Sequence, residues 1–139
     1  MTDNSARVPS VGAESPEVVL GPITRTSIVR YAGAGGDFNT VHHDEIYARE
    51  NGYPSVFAMG LYPAGVMARM ITDWLGLAGL RRFSVRFTAL VWPGDVLRFS
   101  ARIEAIADAD GVSMADVMAR AVNNRDEIAL IGTGVVALD

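Results

Sequence analysis

The 139-residue sequence predicts an α+β fold in which a curved antiparallel sheet wraps around one long helix. Two observations support this prediction. Apolar residues recur with a helical period over residues 64–76, and from Leu80 onward the period changes to that of a strand. A sheet of this kind has one apolar face, and a largely apolar helix needs cover, so each covers the other.

The elements before the long helix are short. Residues 17–23 are a β-type run, and Thr24 is predicted to be the N-cap of a first helix that ends within the glycine-rich residues 33–36. Asp44 is predicted to cap a second helix, over residues 45–51. Both caps place the intervening residues on a loop.

The long helix is predicted to begin after Pro63. Its apolar side chains follow i, i+3, i+4 spacing and are Val66, Met67, Met70, Ile71, Trp74 and Leu75. A helix that is apolar over most of its circumference is enclosed by other elements rather than laid on a surface.

Four strands follow, over residues 81–91, 96–107, 112–123 and 127–138, and turns separate them. We predict that they form an antiparallel meander. One helix wrapped by such a sheet is the architecture called the hot-dog fold. The edge strands and one side of the helix would remain incompletely covered, so we expect dimerisation through the sheets.

Residues 1–16 are small and polar, without a regular apolar period, and predict a flexible N-terminal segment before a single domain over residues 17–139. The net charge of −4 and the lack of a basic cluster argue against nucleic-acid binding. There are no cysteines, no secretory signal and no apolar run long enough to span a membrane. We therefore expect a cytoplasmic protein with no membrane partner.

A candidate site lies in the loop YAGAGGDFNTVHHD, residues 31–44. Asp37 and His42 converge if the loop bends back, and a carboxylate and a neutral imidazole can then share and activate one water. Asn39 could hold the loop or a substrate carbonyl. His43 is expected to face solvent, because neighbouring side chains of an extended loop point in opposite directions.

Simpler interpretations of this loop remain open. An aspartate after two glycines is commonly a turn residue, and a lone loop histidine is more often a structural hydrogen-bonding group than a base. Asp44 is better explained as a helix cap than as a third carboxylate. The spacing matches no metal-binding signature, so we expect no metal site.

A second candidate feature is Gly60, near the start of the long helix. A backbone N–H at a helix N-terminus lacks an intrahelical partner and lies at the positive end of the helix dipole. It can donate to a developing oxyanion, and the missing side chain allows a carbonyl to approach closely. The alternative is a glycine that serves only packing or capping.

Together these residues resemble the signature of the MaoC-like family, the (R)-specific enoyl-CoA hydratases and hydroxyacyl dehydratases of fatty acid and lipid metabolism. The resemblance covers about residues 20–138. The positions that match its loop signature are Tyr31, Ala32, Gly35, Gly36, Asp37, Asn39, Val41, His42, Asp44 and Ala48. Ala58-Met59-Gly60-Leu61 resembles the start of the family's helix, and residues 85–95 its following strand and turn.

The resemblance implies a hot-dog fold and the reversible syn hydration of a trans-2-enoyl thioester, a hydro-lyase reaction. Asp37 and His42 would be the catalytic pair, and the Gly60 N–H would polarise the thioester carbonyl. Asn39, Met59 and Leu61 would contact the substrate, and the helix and the sheet face would enclose its acyl tail. No metal or redox cofactor is needed, since CoA or an acyl-carrier protein carries the substrate.

The sequence departs from the family pattern at three positions. Thr40 replaces a proline, Met59 a histidine and Ala68 a serine that many members have, which suggests a more apolar pocket. The implied assembly is a homodimer, with a heterodimer of two related chains as the alternative. In a heterodimer this chain could be a structural partner subunit, although the intact catalytic pair argues against that role. A hot-dog acyl-CoA thioesterase is a further alternative, which would not need this loop.

Overall fold

The computed structural model describes residues 9–138, which form one five-stranded antiparallel sheet packed against a long helix. This arrangement confirms the predicted α+β architecture. The elements in chain order are β1 (Val18–Leu20), α1 (Arg25–Gly35), a 3-10 turn (Thr40–His42), α2 (Glu45–Glu50), α3 (Leu61–Leu75), β2 (Leu80–Phe87), β3 (Leu97–Ala109), β4 (Val112–Val122) and β5 (Ile128–Leu138).

The strand order is β1-β3-β4-β5-β2, so the predicted four-strand meander is wrong for β2. Only β3, β4 and β5 are joined by hairpins, and β2 pairs with β5 at the far edge, where Phe87 lies opposite Leu130. Residues 88–96 make the connection to β3 across about 14 Å, three strand spacings. That connection is longer than a hairpin turn, and it allows all five strands to contact α3.

Helix α3 begins at Leu61, three residues earlier than predicted. Pro63 lies in its first turn, where a missing N–H costs no helical hydrogen bond. The side chains that α3 buries are those of Pro63, Ala64, Met67, Met70 and Ile71. Among residues 9–138, no helix is long and apolar enough to cross a membrane.

The contact between α3 and β5 is close because β5 carries glycine where the helix crosses it. A Cβ added to Gly132 would lie 2.4 Å from the Met67 sulfur, whereas one added to Gly134 would have nothing nearer than 3.7 Å. Met67 and Ile71 are fully buried against the sheet. Met67 and Ile71 therefore fill the space between helix and sheet where α3 crosses β5.

The N-terminal part of the described chain is attached to the sheet. The Gly12 N–H donates to the Ile103 carbonyl over 2.8 Å, and the Ser15 N–H donates to the Ala101 carbonyl over 2.9 Å. The prediction of a flexible segment over residues 1–16 is thus wrong for residues 12–15, because the exposed edge of β3 offers partners to any extended backbone. Residues 1–8, which that prediction also covered, lie outside the described residues.

Candidate active site

The end of α1 presents Asp37 on a short loop. The helix begins at the predicted cap, where the Thr24 hydroxyl accepts from the Ser27 N–H. It ends at Gly36, whose φ of 72° is the left-handed conformation that favours glycine. The rings of Tyr31 and Tyr62 stack with their centroids 5.2 Å apart. This contact holds the end of α1 against the start of α3.

Asn39 fixes the loop between the two candidate catalytic side chains. Its carboxamide oxygen accepts from the Val41 N–H over 3.3 Å and caps the 3-10 turn, while its own N–H donates to Asp37 Oδ1 over 3.2 Å. Val41 is buried and anchors the turn. Of the two predicted roles for Asn39, these contacts favour holding the loop.

His42 is buried, with 8% of its surface exposed, and its orientation is set by a main-chain group. Its Nδ1 lies 2.7 Å from the Phe57 carbonyl oxygen. Because a carbonyl oxygen can only accept, Nδ1 carries the proton, and the neutral ring has its lone pair on Nε2. The edge-to-face contact with the Phe57 ring, at 5.1 Å, further restrains the imidazole.

His42 Nε2 lies 3.7 Å from Asp37 Oδ2. This distance is too long for a direct hydrogen bond, but one water can donate to both acceptors. The Asp37 side chain is 45% exposed, so solvent can reach the pair. The loop therefore brings Asp37 and His42 together as the sequence predicted.

Gly60 is the N-cap of α3, and its N–H donates to no group within residues 9–138. A cavity of about 220 Å³ adjoins it. The residues lining that cavity are Asp37, Phe57, Ala58, Gly60, Leu61, Pro63, Phe87, Ala89, Leu90, Val91 and Leu130. One cavity thus combines a carboxylate, a helix N-terminus and a mostly apolar wall.

The remaining predicted site residues are distributed unevenly around this cavity. Leu61 lines it, but Met59 is only 2% exposed in the core and does not. Asn39 and His42 instead line a second cavity of about 300 Å³, with Val41, Tyr47, Asn51, Tyr53 and Phe57. His43 is exposed, and Asp44 caps α2 by accepting from the Tyr47 N–H, as predicted for both.

Two other sequence expectations can be compared with the structure. The acyl tail was expected between the helix and the sheet face. Met67 and Ile71 fill part of that space, whereas Pro63 of α3 and Phe87 and Leu130 of the sheet line the 220 Å³ cavity. Across residues 9–138, no three His, Cys, Asp or Glu side chains converge as metal ligands would. A larger cavity, about 460 Å³, lies on the outer face of β3 and β4, and neither Asp37 nor Gly60 lines it.

Sequence reasoning missed three residues of the site, namely Phe57, Phe87 and Trp92. Phe57 contributes a carbonyl to His42, and no side-chain pattern reveals a main-chain acceptor. Phe87 covers Gly60, where an added Cβ would lie 2.7 Å from the Phe87 ring. Trp92 contacts the Phe57 ring at 5.7 Å, although the sequence indicated only a turn at this position.

The chain is similar in sequence and in structure to several known proteins. A family model described as a MaoC like domain matches residues 10–124. A relative from Mycobacterium tuberculosis, the 3-oxo-4,17-pregnadiene-20-carboxyl-CoA hydratase beta subunit, is 34% identical over 99 residues, which are 70% of this chain and 76% of that protein. The 3-hydroxyacyl-thioester dehydratase X of the same organism is 40% identical over 72 residues, 52% of this chain.

The chain spans very different shares of its relatives. It matches 25% of the dehydratase and only 4% of the fatty acid synthase subunit beta of Aspergillus oryzae, with 35% identity over 80 residues of this chain. Among solved structures, the ChsH1-ChsH2 complex from Mycobacterium tuberculosis has a chain that superposes with a TM-score of 0.82 and 27% identity, covering 94% of this chain and 98% of that one.

A second solved structure supports the fold alone. The (R)-hydratase from A. caviae involved in PHA biosynthesis superposes with a TM-score of 0.83 over 96% of this chain and all of that one, at 20% identity.

Proposed function

The chain belongs to the MaoC-like domain family, and from that premise we propose that it hydrates a trans-2-enoyl thioester reversibly to the (3R)-hydroxyacyl thioester. The observation that carries the proposal is that Asp37 and Gly60 line one cavity, with His42 Nε2 3.7 Å from the carboxylate. In the proposed reaction, Asp37 and His42 supply the water site and the Gly60 N–H supplies the oxyanion donor.

In the proposed reaction, one water donates its hydrogens to Asp37 Oδ2 and His42 Nε2. The water oxygen attacks C3 of the enoyl group, and the pair takes up one proton as the C–O bond forms. The π electrons move to C2 and the thioester oxygen, and the pair then returns a proton to C2 on the face that water attacked. The sum is the syn addition of one water, and the reverse sequence is dehydration.

The negative charge that builds on the thioester oxygen needs a donor that is already in position. The Gly60 N–H supplies it at the positive end of the α3 dipole. On binding, the thioester oxygen loses a hydrogen bond from water and gains one from this fixed N–H. Donors of this kind typically contribute about 100- to 1,000-fold to kcat. The α-carbon becomes acidic through the thioester itself, so the proposed reaction uses no cofactor.

The proposed substrate is carried by CoA or an acyl-carrier protein, and its acyl group enters the cavity beside Phe87 and Leu90. Pro63 of α3 and Leu130 of β5 also line this cavity, so the route keeps to the expected path between helix and sheet at the start of the helix. Several apolar side chains around the cavity are exposed in the single chain, among them Leu61 at 63%, Phe87 at 50% and Leu90 at 39%. An exposed apolar surface of this kind is typical of one that a second protein chain covers in an assembly.

We propose that this cover is a second hot-dog chain, packed beside edge strand β2. Strand β2 pairs with β5 on one side and has no strand partner on the other within residues 9–138. In a homodimer, a second copy of the chain packs against this edge. The matches to a hydratase beta subunit and to a chain of a two-protein complex favour a heterodimer as the second candidate.

The catalytic pair is tested by Asp37→Asn and His42→Ala, with His43→Ala as the matched control. Each of the first two variants should lower kcat for crotonyl-CoA hydration about 100-fold or more, because proton transfer is lost. His43→Ala should retain wild-type kcat. Circular dichroism checks that every variant is folded, and near-normal hydration by either folded dyad variant would show the assignment to be wrong.

The partner-subunit alternative predicts a different outcome. A chain that only shapes a partner's tunnel would be insoluble or inactive when expressed alone, and the same dyad substitutions would leave the activity of the assembled pair intact. A catalytic chain in a heterodimer would lose that activity on substitution of Asp37 or His42. Assaying the dyad variants with a candidate partner present separates these two roles.

A further inference from the structure

Outside the cavity, Arg125 of the β4–β5 turn forms an ion pair with Asp95 of the connection between β2 and β3. Asp95 is 2% exposed, and the Arg125 guanidinium binds both of its carboxylate oxygens. The Asn123 amide oxygen accepts from the Arg125 and Glu127 N–H groups over 2.9 and 3.0 Å and holds the turn in shape. Arg125 thus reaches Asp95 from a fixed backbone.

Asp95 in turn shapes the loop that carries Trp92. Its Oδ2 accepts from the Trp92 N–H over 2.9 Å, and its own N–H donates to the Trp92 carbonyl over 3.0 Å. The Asp95 carbonyl also accepts from the Ile23 N–H over 2.8 Å, and the Gly94 N–H donates back to Ile23 over 2.7 Å. Four hydrogen bonds therefore fix the conformation of the turn that carries Trp92.

Trp92 is linked to His42 through Phe57. Its ring meets the Phe57 ring edge-on at 5.7 Å, and the neighbouring Val91 carbonyl accepts from the Ala58 N–H over 2.8 Å. Phe57 then contacts His42 twice, through its ring at 5.1 Å and through its carbonyl at 2.7 Å from Nδ1. The contacts form one continuous chain from Arg125 to the imidazole.

We propose that Asp95 and Arg125 are positioning residues for His42, acting through the Trp92 turn and the Phe57 carbonyl. The inference rests on the proposed function insofar as His42 is the group that handles the proton. Neither Asp95 nor Arg125 lines the 220 Å³ cavity, so they act on the reaction only through other residues. Their task is to keep Nδ1 protonated and Nε2 aimed at Asp37.

The geometry makes the histidine sensitive to a small movement. His42 Nδ1 and the Phe57 carbonyl oxygen are 2.7 Å apart. A shift of that carbonyl by about 1 Å would break the hydrogen bond that selects the tautomer of His42. A displacement of that size typically costs a catalytic group about 100-fold in rate. The effect should fall mainly on kcat, because the lost hydrogen bond belongs to His42; Phe57 also lines the cavity, so its shift moves only one part of the wall.

The test uses Arg125→Met and Asp95→Asn, with Arg125→Lys as the conservative variant. Asn keeps an acceptor for the Trp92 N–H but loses the charge, while Lys keeps the charge but not the two-oxygen geometry. The control is Arg69→Met, which removes an ion pair with Asp73 on the exposed side of α3. All are compared at a temperature at which circular dichroism shows each to be folded.

Two readouts separate positioning from general stability. The first is steady-state hydration of crotonyl-CoA, where Arg125→Met and Asp95→Asn should lower kcat about 10- to 100-fold with KM changed less than about three-fold. Arg125→Lys should lie between them and the wild type. The second is the ¹⁵N spectrum of His42 in a His43→Ala background, which leaves one histidine in the chain.

The wild-type spectrum should show a single tautomer protonated on Nδ1, and the Arg125 and Asp95 variants should show a mixture. Folded variants with wild-type kcat and an unchanged tautomer would overturn the proposal, even if their melting temperatures fell. If Arg125→Met does not fold, Trp92→Phe is judged by the same criteria. A wild type without hydratase activity would refute the proposed function, and the tautomer would still decide the positioning role.

Discussion

At the scale of single residues, the candidate site depends on main-chain groups as much as on side chains. The Phe57 carbonyl sets the tautomer of His42, and the Gly60 N–H is the proposed oxyanion donor. Asn39 uses its amide to hold the turn between Asp37 and His42. The sequence shows the reactive side chains of Asp37 and His42. It does not show the main-chain groups that orient them.

The role of Gly60 is tested by two alanine substitutions on one helix. Gly60→Ala keeps the N–H and a helical backbone, but its Cβ would lie 2.7 Å from the ring of Phe87, which lines the cavity, and would displace that ring. We expect kcat/KM to fall at least about 10-fold, since a displacement of this size disturbs substrate alignment. The measurement is steady-state hydration of crotonyl-CoA.

Gly65→Ala is the matched control. No atom lies within 4 Å of its added Cβ, and the substitution should stabilise the helix by about 0.5–1 kcal/mol without changing activity. Equal activity of the two variants would contradict the close approach at Gly60. Partial recovery of Gly60→Ala by Phe87→Leu would identify the ring as the cause.

At the scale of elements, the packing of α3 on β5 decides where a substrate can go. Met67 lies directly over Gly132 and closes the space between helix and sheet at that point. We expect Gly132→Ala to destabilise the protein by about 1–3 kcal/mol through overpacking, measured by urea unfolding. Gly134→Ala, with 3.7 Å of clearance, should cost much less. A smaller cost of Gly132→Ala in a Met67→Ala background would confirm the contact.

The β4–β5 turn should also respond to acid. The hydrogen bond from Asn123, followed by that from Arg125, lowers the pKa of Glu127 below its ordinary value of 4.5. A lowered folded-state pKa stabilises the fold above the unfolded pKa, and this contribution is lost as the pH falls through the folded pKa. Urea midpoints of the wild type and Glu127→Gln should therefore differ at neutral pH and converge in acid. A difference independent of pH would contradict this.

At the scale of the whole molecule, periodicity predicted which elements form, and it did not predict which strands pair. The change from a helical to an alternating pattern located α3 and the strands, since each pattern reports the local environment of its own segment. The pairing of β2 with β5 joins residues far apart in sequence, and no local signal encodes it. The attachment of residues 12–15 to β3 was missed for the same reason, because backbone hydrogen bonds leave no side-chain pattern.

The proposed dimer predicts a measurable effect of one exposed side chain. Leu61→Asp would place a charge in the apolar surface beside the cavity, and light scattering should then show a monomer where the wild type is a dimer. Val11, which is similarly exposed at 61% near the opposite edge of the sheet, provides the control Val11→Asp. A Leu61→Asp variant with the wild-type mass would place the interface elsewhere.

The central claim is that this chain adds water to an enoyl thioester. The most direct measurement follows loss of the enoyl absorbance of crotonyl-CoA and release of free thiol in the same reaction, and then determines the configuration of the product. The account predicts loss of absorbance without thiol release and a (3R)-hydroxyacyl product. Thiol release without hydration would contradict it and identify a thioesterase.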